Sequence, residues 1–377
     1  MALLHLLAGR GDVHAVTVDH GLRPEAAAEA VAVAAICAGL GVPHATLHWR
    51  WDQSGNLSDR ARRGRITLIS EWARARGILT VALGHTADDQ AETVLMRVAR
   101  GSGVDGLCGM ARQRVAGGVT WVRPLLGVRR DDLRAYLRRR GVTWFDDPGN
   151  QDTRYLRVRT RAALEVLEPL GITVGRLAAT AQHLALAREA LQQAAQDAAR
   201  RICRIDGGDV VFDRQGLALL PSETQLRLLA HAVGWVASAE YRPRFQTLIA
   251  VHAALAQGKR RTLGGCLLMP TKCEIRVTRE VQAVQRLTGP TEALWDQRWQ
   301  FSGPHSSGLH VAALSATGLA HCPDWRQANL PRSSLLASPA IWRSAVLIAA
   351  PLAGLSNGWR AMLACDDDAF FRSLLSH

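Results

Sequence analysis

The chain has 377 residues, enough for two or three domains that each bury a core of their own. Its apolar share of 48% is that of a globular protein, and the apolar run at 344–355 is too short to span a bilayer and contains Pro351, which argues against a membrane protein. Lys and Arg number 46 against 33 Asp and Glu, for a net charge of +13. Residues 291–377 hold six Arg and six acids, so the surplus lies wholly in the first 290 residues. Lys259 and Lys272 are the only lysines; such an arginine bias follows either from GC-rich coding or from a polyanionic partner, whose phosphates suit guanidinium geometry. The seven cysteines contain no Cys-x-x-Cys pair, which argues for buried thiols over disulfides, zinc or an iron–sulfur cluster. The opening "MALLHLL" has no basic flank or cleavage site of a signal peptide, so the expected location is cytoplasmic, with no membrane contact.

The first 150 residues alternate strand and helix. An apolar helix at the start leads to a strand at 13–20, a helix at 24–40, a strand near 43–49 and a helix at 57–77. A strand at 78–84, a helix at 88–101, a strand at 118–125 and a helix at 129–141 follow. This order predicts an α/β fold with a doubly wound, mostly parallel sheet. Beyond 146–150 two helical stretches, 155–168 and 174–203, follow without a strand between them. Helices near 222–236 and 241–257 and a hairpin through "TLGGCLLMPTKCEIRVTRE" suggest a small α+β unit. The remainder reads as a β-rich tail with five of the eleven tryptophans. The expected domains are 1–165, a helical linker at 166–205, a small α+β domain at 206–286 and a C-terminal module at 291–377.

The stretch "VALGHTADDQAETVLMRVARGSG" (81–103) is the most informative. Ala91, Val94, Leu95 and Val98 recur at helical spacing and are predicted to face the sheet, while Asp89, Thr93, Arg97 and Arg100 face away. Thr86-x-x-Asp89 reads as helix capping as readily as function. His85, though, leaves the carboxyl end of a strand, where open parallel sheets bind ligands. A His, two carboxylates and an Arg there suit a nucleotide or metal–phosphate site. Arg62 and Arg65 sit at i, i+3 on a helix whose basic run is equally at home in solvent. Arg154, Arg157 and Arg161 are predicted to share one helix face after a turn holding Asp146, Asp147 and Asn150, a stripe suited to an RNA backbone.

These motifs occur in one order: Val18-Asp19-His20-Gly21-Leu22-Arg23, Arg62-x-x-Arg65, His85-x-x-Asp88-Asp89-Gln90-x-Glu92-Thr93, Arg97-x-x-Arg100-Gly101-Ser102-Gly103, Arg123-Pro124-Leu125-Leu126, and Asp147-x-x-Asn150-x-Asp152-x-x-Tyr155-x-Arg157-x-Arg159. Over residues 1–165 the series resembles the tRNA(Ile)-lysidine synthetase family of the PP-loop ATP pyrophosphatases, and the hairpin and tail resemble that family's C-terminal regions. Ile66 stands where the family usually has Tyr. The family's opening strand and Ser-Gly-Gly-x-Asp-Ser loop, which cradles pyrophosphate, do not occur in these 377 residues. An N-terminally truncated form is expected rather than a natural pseudo-enzyme, with Leu3, Leu4 and Leu7 poorly covered and activity of the chain as given in doubt.

The resemblance implies ATP-dependent ligation of free L-lysine to C2 of the wobble cytidine of tRNA(Ile), through an adenylated cytidine. It places Asp88, Asp89 and His85 in catalysis, with Asp88 also offered to Mg2+. Arg62, Arg65, Arg100 and Gly101 go to the ATP phosphates. Arg97, Asn150, Arg154, Arg157, Arg159 and Arg161 go to tRNA, and a homodimer is the family's frequent state. Arg123 fits the site and a structural ion pair equally. The alternatives are a non-catalytic tRNA-binding remnant and a cytidine thiolase, the latter disfavoured by the missing Cys pairs.

Overall fold

A computed structural model describes residues 1–21, 25–51, 55–144, 152–239 and 241–375. The chain divides into two compact units, Met1–Arg188 and a second from Glu189 onward. The expected strand–helix alternation runs through the first. Its elements are α1 (Ala2–Leu7), β1 (Ala15–Asp19), α2 (Glu25–Gly39), β2 (His44–His48), α3 (Leu57–Arg74), β3 (Thr80–Ala82) and α4 (Ala87–Val98). Then come α5 (Val104–Leu107), β4 (Gln113–Ala116), β5 (Val119–Val122), α6 (Arg130–Arg139) and α7 (Leu156–Leu167), while α8 (Val174–Ile202) runs through the dividing point.

The parallel sheet is in two parts. β1 pairs with β2 in parallel, from Ala15 opposite His44 to Asp19 opposite His48. β3 pairs in parallel with β5, which β4 joins as an antiparallel hairpin. No ladder joins β1 to β3 among the described residues. One apolar cluster nevertheless spans both parts, because Ile66, Ile69 and Ala73 of α3 pack with Val16, Val18 and Leu47 on one side and Val81, Val119 and Trp121 on the other. Ile69 and Ala73 repeat at i, i+4, and each large apolar side chain so buried contributes roughly 1.5–3 kcal/mol. The β4–β5 turn uses Gly117 and Gly118, both at positive φ (61° and 77°), the pair that a two-residue hairpin turn favours. A Cβ on Gly117 would collide with Ser70 Oγ, so α3 packs against the turn itself. On α1 only Ala2 is buried; Leu3, Leu4 and Leu7 are half-exposed.

The second unit is antiparallel and helical. Its first sheet takes the order β6 (Cys203–Asp206), β7 (Asp209–Asp213), β10 (Glu274–Arg279), β9 (Cys266–Pro270), β8 (Arg261–Leu263). Between β7 and β8 lie α9 (Arg214–Ala218), α10 (Ser222–Ala237) and α11 (Phe245–Ala256). Leu228, Leu229, Ala232, Val233 and Val236 of α10 bury one stripe against Val210, Phe212, Leu268 and Val277 of the sheet. After α12 (Val281–Val284), the tail has strands β11 (Gly289–Pro290), β12 (Trp299–Ser302) and β13 (Leu309–Ala313), followed by α13 (Ser315–Leu319) and α14 (Arg332–Ala337). It ends with β14 (Pro339–Arg343), β15 (Val346–Ala349), β16 (Arg360–Leu363) and α15 (Asp367–Ser373), in sheets ordered β11-β13-β14-β15 and β12-β16. Trp295, Trp299 and Trp359 fill its core.

Buried charge joins the tail to the sheet within this unit. Arg276 donates to Asp206 and Asp209, and Ser334 of α14 donates to the same Asp209 carboxylate at 2.5 Å. Arg279 pairs with Asp296 at 2.8 Å, and Arg298 donates to the carbonyls of Gly208 and Val236. Among the described residues no helix is long and apolar enough to cross a membrane.

Candidate functional site

The strands of the first unit end in chemistry. β1 stops at Asp19, whose Oδ1 accepts the Gly21 N–H at 2.8 Å, and His20 follows; three residues beyond β3 stands His85. These carboxyl ends open onto a cavity of about 1280 Å3. Four pairs of arginines wall it: Arg62 and Arg65 from α3, Arg97 and Arg100 at the end of α4, Arg114 and Arg123 from the β4–β5 hairpin, and Arg157 and Arg161 from α7. Asp19 and Glu29 are the only acids in that wall among the described residues. A hollow so lined attracts anions and suits phosphate oxygens, which accept the guanidinium fork.

The two cavity histidines are neutral. Burial, with help from Arg123, Arg157 and Arg65 and against the pull of Asp89, lowers the His85 ring to about 4. His20 is lowered by burial and by Arg65, with Asp19 opposing. Nδ1 of each ring is buried without a hydrogen-bond partner among the described residues. A neutral imidazole both donates and accepts, so each offers an unused polar atom to a neutral ligand edge.

Helix α4 organises the acids. Thr86 and Asp89 form a reciprocal capping box: Thr86 Oγ1 accepts the Asp89 N–H at 3.3 Å, and Asp89 Oδ2 accepts the Thr86 N–H at 2.9 Å. Burial alone would raise the Asp89 carboxyl; the Thr86 hydrogen bonds and the Arg130 and Arg157 charges overcome it and hold the group below its ordinary range. Asp88 turns to the start of α6, its Oδ2 accepting the Arg130 N–H at 2.6 Å and its Oδ1 lying 3.7 Å from Arg129 Nε. One turn on, Glu92 is fully buried among three guanidiniums: Arg161 at 2.6 Å, Arg130 at 3.3 Å and Arg157 at 3.8 Å. Neither Asp88, Asp89 nor Glu92 lines the cavity; they stand behind its arginines.

The structure brings together His85, Arg62, Arg65, Arg97, Arg100, Arg157 and Arg161 on one cavity wall. Arg97 is also anchored, donating to the carbonyls of Gly106 and Gly109. Gly101 follows α4 at a φ of 66°, the left-handed conformation that ends a helix. Arg159 is exposed and outside the cavity wall. Asn150 and the turn of Asp146 and Asp147 lie outside the described residues. The single-face stripe is corrected at one end: α7 begins at Leu156, so Arg154 precedes it and is clasped by Asp152 at 2.7–3.0 Å. The predicted α4 core is corrected at Val98, the last residue of the helix, which is 53% exposed. Sequence reading gave no role to Glu92 or Arg130, although Asp88, Asp89 and Glu92 at i, i+1 and i+4 place three acids around one helix face.

A crevice at the carboxyl ends of parallel strands, walled by guanidiniums, defines a phosphate-handling α/β domain, and residues 1–167 match the family model of the PP-loop domain. The chain is 50% identical over 383 aligned positions to a tRNA(Ile)-lysidine synthase of Ruegeria pomeroyi, covering 100% of this chain and 91% of that protein. It is 42% identical to the Methylobacterium nodulans tRNA(Ile)-lysidine synthase (68% of this chain, 79% of that one) and 32% identical to that of Wolbachia pipientis (80% and 73%). The chain belongs to the tRNA(Ile)-lysidine synthase family.

Proposed function

We propose that this chain uses ATP to ligate L-lysine to C2 of the wobble cytidine of tRNA(Ile). Cytosine O2 is a poor leaving group. Its attack on the α-phosphorus of ATP releases pyrophosphate and turns the oxygen into part of a phosphate ester. The lysine amine then adds at C2, AMP leaves with the oxygen, and the amine gives up a proton. The protein's task is to hold separating negative charge and to position a base against a nucleotide.

The observation that carries this reading is the arginine-walled cavity at the strand ends, with buried neutral histidines among the guanidiniums. In it Arg62, Arg65 and Arg100 meet the ATP phosphates, with Gly101 following Arg100 at the end of α4. Arg157 and Arg161, tied back to Glu92, meet phosphate or RNA from α7, and Arg97 is held ready by its carbonyl contacts. Arg154 and Arg159 are exposed and are assigned to the tRNA strand; Asn150, assigned there from the sequence, lies outside the described residues. His85 suits the cytidine better than a phosphate, because an uncharged ring gains little from an anion. Asp88 and Asp89 set the first turns of α4 and α6, and thereby the arginines. Mg2+ belongs on the triphosphate: the Asp88 carboxylate is engaged by Arg129 and Arg130, and the described residues gather no set of three metal donors. The exposed apolar side chains of Val166 and Leu170 fit a homodimer, and the solvent-exposed arginine surplus fits a cytoplasmic RNA enzyme.

The test is tRNA-dependent ATP–pyrophosphate exchange and incorporation of labelled lysine, with a tRNA(Ile) transcript bearing a CAU anticodon. Both are expected, and both vanish when the wobble cytidine is replaced by uridine. Salt-sensitive tRNA binding without exchange would overturn the enzyme and leave a binding protein.

A further inference from the structure

We propose that Arg123 is a further substrate-binding residue, gripping a phosphate group of the nucleotide inside the cavity, beside His85. This rests on the reading of the chain as a nucleotide-using tRNA enzyme and assigns that site one more cation.

Strand pairing puts Arg123 there. β5 runs parallel to β3 with Val122 opposite Ala82, and the Leu83 N–H donates to the Val122 carbonyl at 2.8 Å. Arg123 is therefore the first residue past the carboxyl end of β5, level with the segment that carries His85, and both residues line the cavity. Of the charges that bear on the His85 ring, that of Arg123 is the largest. The guanidinium is held in place through one N–H, Nη1 donating to the Ala111 carbonyl at 2.8 Å. The loop that supplies this carbonyl is latched by the buried Gln90 amide, which accepts the Met110 N–H at 2.7 Å and donates to the Met110 carbonyl at 3.2 Å. Arg123 Nε, also buried, has no acceptor among the described residues.

Its company sets Arg123 apart. Four arginines are buried among the described residues: Arg123, Arg227, Arg276 and Arg298. Arg227 pairs with Glu223 at 2.6 Å, Arg276 pairs with Asp206 and Asp209, and Arg298 lies in the field of Asp209 and Asp296. Arg123, only 7% exposed, has no carboxylate beside it among the described residues. Burial lowers its guanidinium below the ordinary arginine range, and the charges of Arg114 and Arg62 push it the same way. Bracing the Ala111 carbonyl does not explain this arrangement. An uncharged amide could donate to one carbonyl without desolvating a cation and crowding it with two more. A buried cation fixed on a neutral acceptor and surrounded by like charge is completed by an anion. The nucleotide supplies one. Arg62, on one side of Arg123, is assigned to ATP phosphate, and His85, on the other, to cytidine. The phosphate that joins nucleotide to base in the adenylated intermediate belongs between them.

The experiment uses the full chain, with α,β-methylene-ATP as the probe and binding followed by calorimetry. R123M is expected to bind the probe about tenfold more weakly or worse, as for one lost charge-assisted hydrogen bond. R123K, which restores the charge without the fork, should recover most of that loss. R112Q removes an exposed arginine of the neighbouring loop that lies outside the cavity wall, and it should stay within about twofold of the parent. Affinity for L-lysine should be unchanged in every variant. Parental affinity for the probe in R123M would overturn the proposal. So would an equal loss in R112Q, which would make the effect one of net charge. A loss confined to L-lysine would also overturn it, since the anion would then be a carboxylate. Should R123M melt at a lower temperature than the parent, R123Q, whose amide can still donate to the Ala111 carbonyl, gives the same readout. If the parent itself does not bind the probe, the functional reading falls and this assignment with it; if the parent binds and R123M is indifferent, the assignment alone falls.

Discussion

Arg161 donates through Nε to Glu92 Oε1 at 2.6 Å, tying α7 to α4 across 69 positions of sequence. The acid is almost wholly buried, whereas the arginine retains about a quarter of its side-chain exposure. Their environments therefore make unequal demands. Arg161 without Glu92 can turn to water; Glu92 without its arginines cannot.

Glu92→Ala is accordingly expected to destabilise the first unit by about 1–3 kcal/mol, since Arg130, Arg157 and Arg161 lose a common anchor yet remain partly solvated. Arg161→Ala, which leaves the carboxylate with Arg130 and Arg157, should cost at least as much. Urea denaturation of the two variants measures both, and parental stability in the Glu92 variant would show that the three guanidiniums need no anchor.

At the cavity, the neutral His85 ring predicts a pH profile. With the folded ring lowered to about 4, its charge does not change in the range where an ordinary histidine titrates. The ratio of parental to His85→Gln exchange activity should therefore be flat from about pH 5.5 to about 8. A ratio falling with a midpoint near 6.5 would mean that the imidazolium forms in the site.

The second unit should soften in acid through His231. Burial lowers this ring to about 4 in the fold, against the Phe370 carbonyl contact and with help from Arg242. The unfolded chain takes up a proton below about 6.5, so the neutral ring's contribution is complete above that pH and disappears as pH falls toward 4. The full loss is on the order of 3 kcal/mol by the usual conversion of pKa shift to free energy. His231→Gln should flatten that part of the stability–pH curve, and an unaltered curve would assign the acid sensitivity to other groups.

The join between sheet and tail predicts an asymmetry. Arg276 and Asp209 are both under a tenth exposed, with Ser334 as a further donor to the carboxylate. Arg276→Met strands a buried acid and should cost about 3–5 kcal/mol. Ser334→Ala removes one donor while the guanidinium remains, and should cost about 1–2 kcal/mol. Equal effects in calorimetry would contradict the geometry.

What the sequence made legible was what the chain settles locally. The Thr86–Asp89 capping box, the strand–helix alternation and the placement of His85 at a strand end depend on neighbours within a few residues, and the structure has them. The cavity wall was legible only in pieces. Arg62, Arg97, Arg114, Arg123 and Arg157 come from four separate elements, and nothing local tells Arg157, which reaches the cavity, from Arg159, which does not. Arg154 was misplaced because periodicity does not mark the first residue of a helix. Val98 kept the apolar period at the exposed last residue of its helix. Glu92 was hidden by its own burial: an acid in a helix reads as surface until the arginines around it are known.

Converging guanidiniums also make the molecule selective about its bench conditions. Small tetrahedral oxyanions are natural tenants of such a hollow, so a phosphate or sulfate buffer would raise the melting temperature while competing with nucleotide. Purified in such salts, the protein would look its most robust where it turns over most slowly.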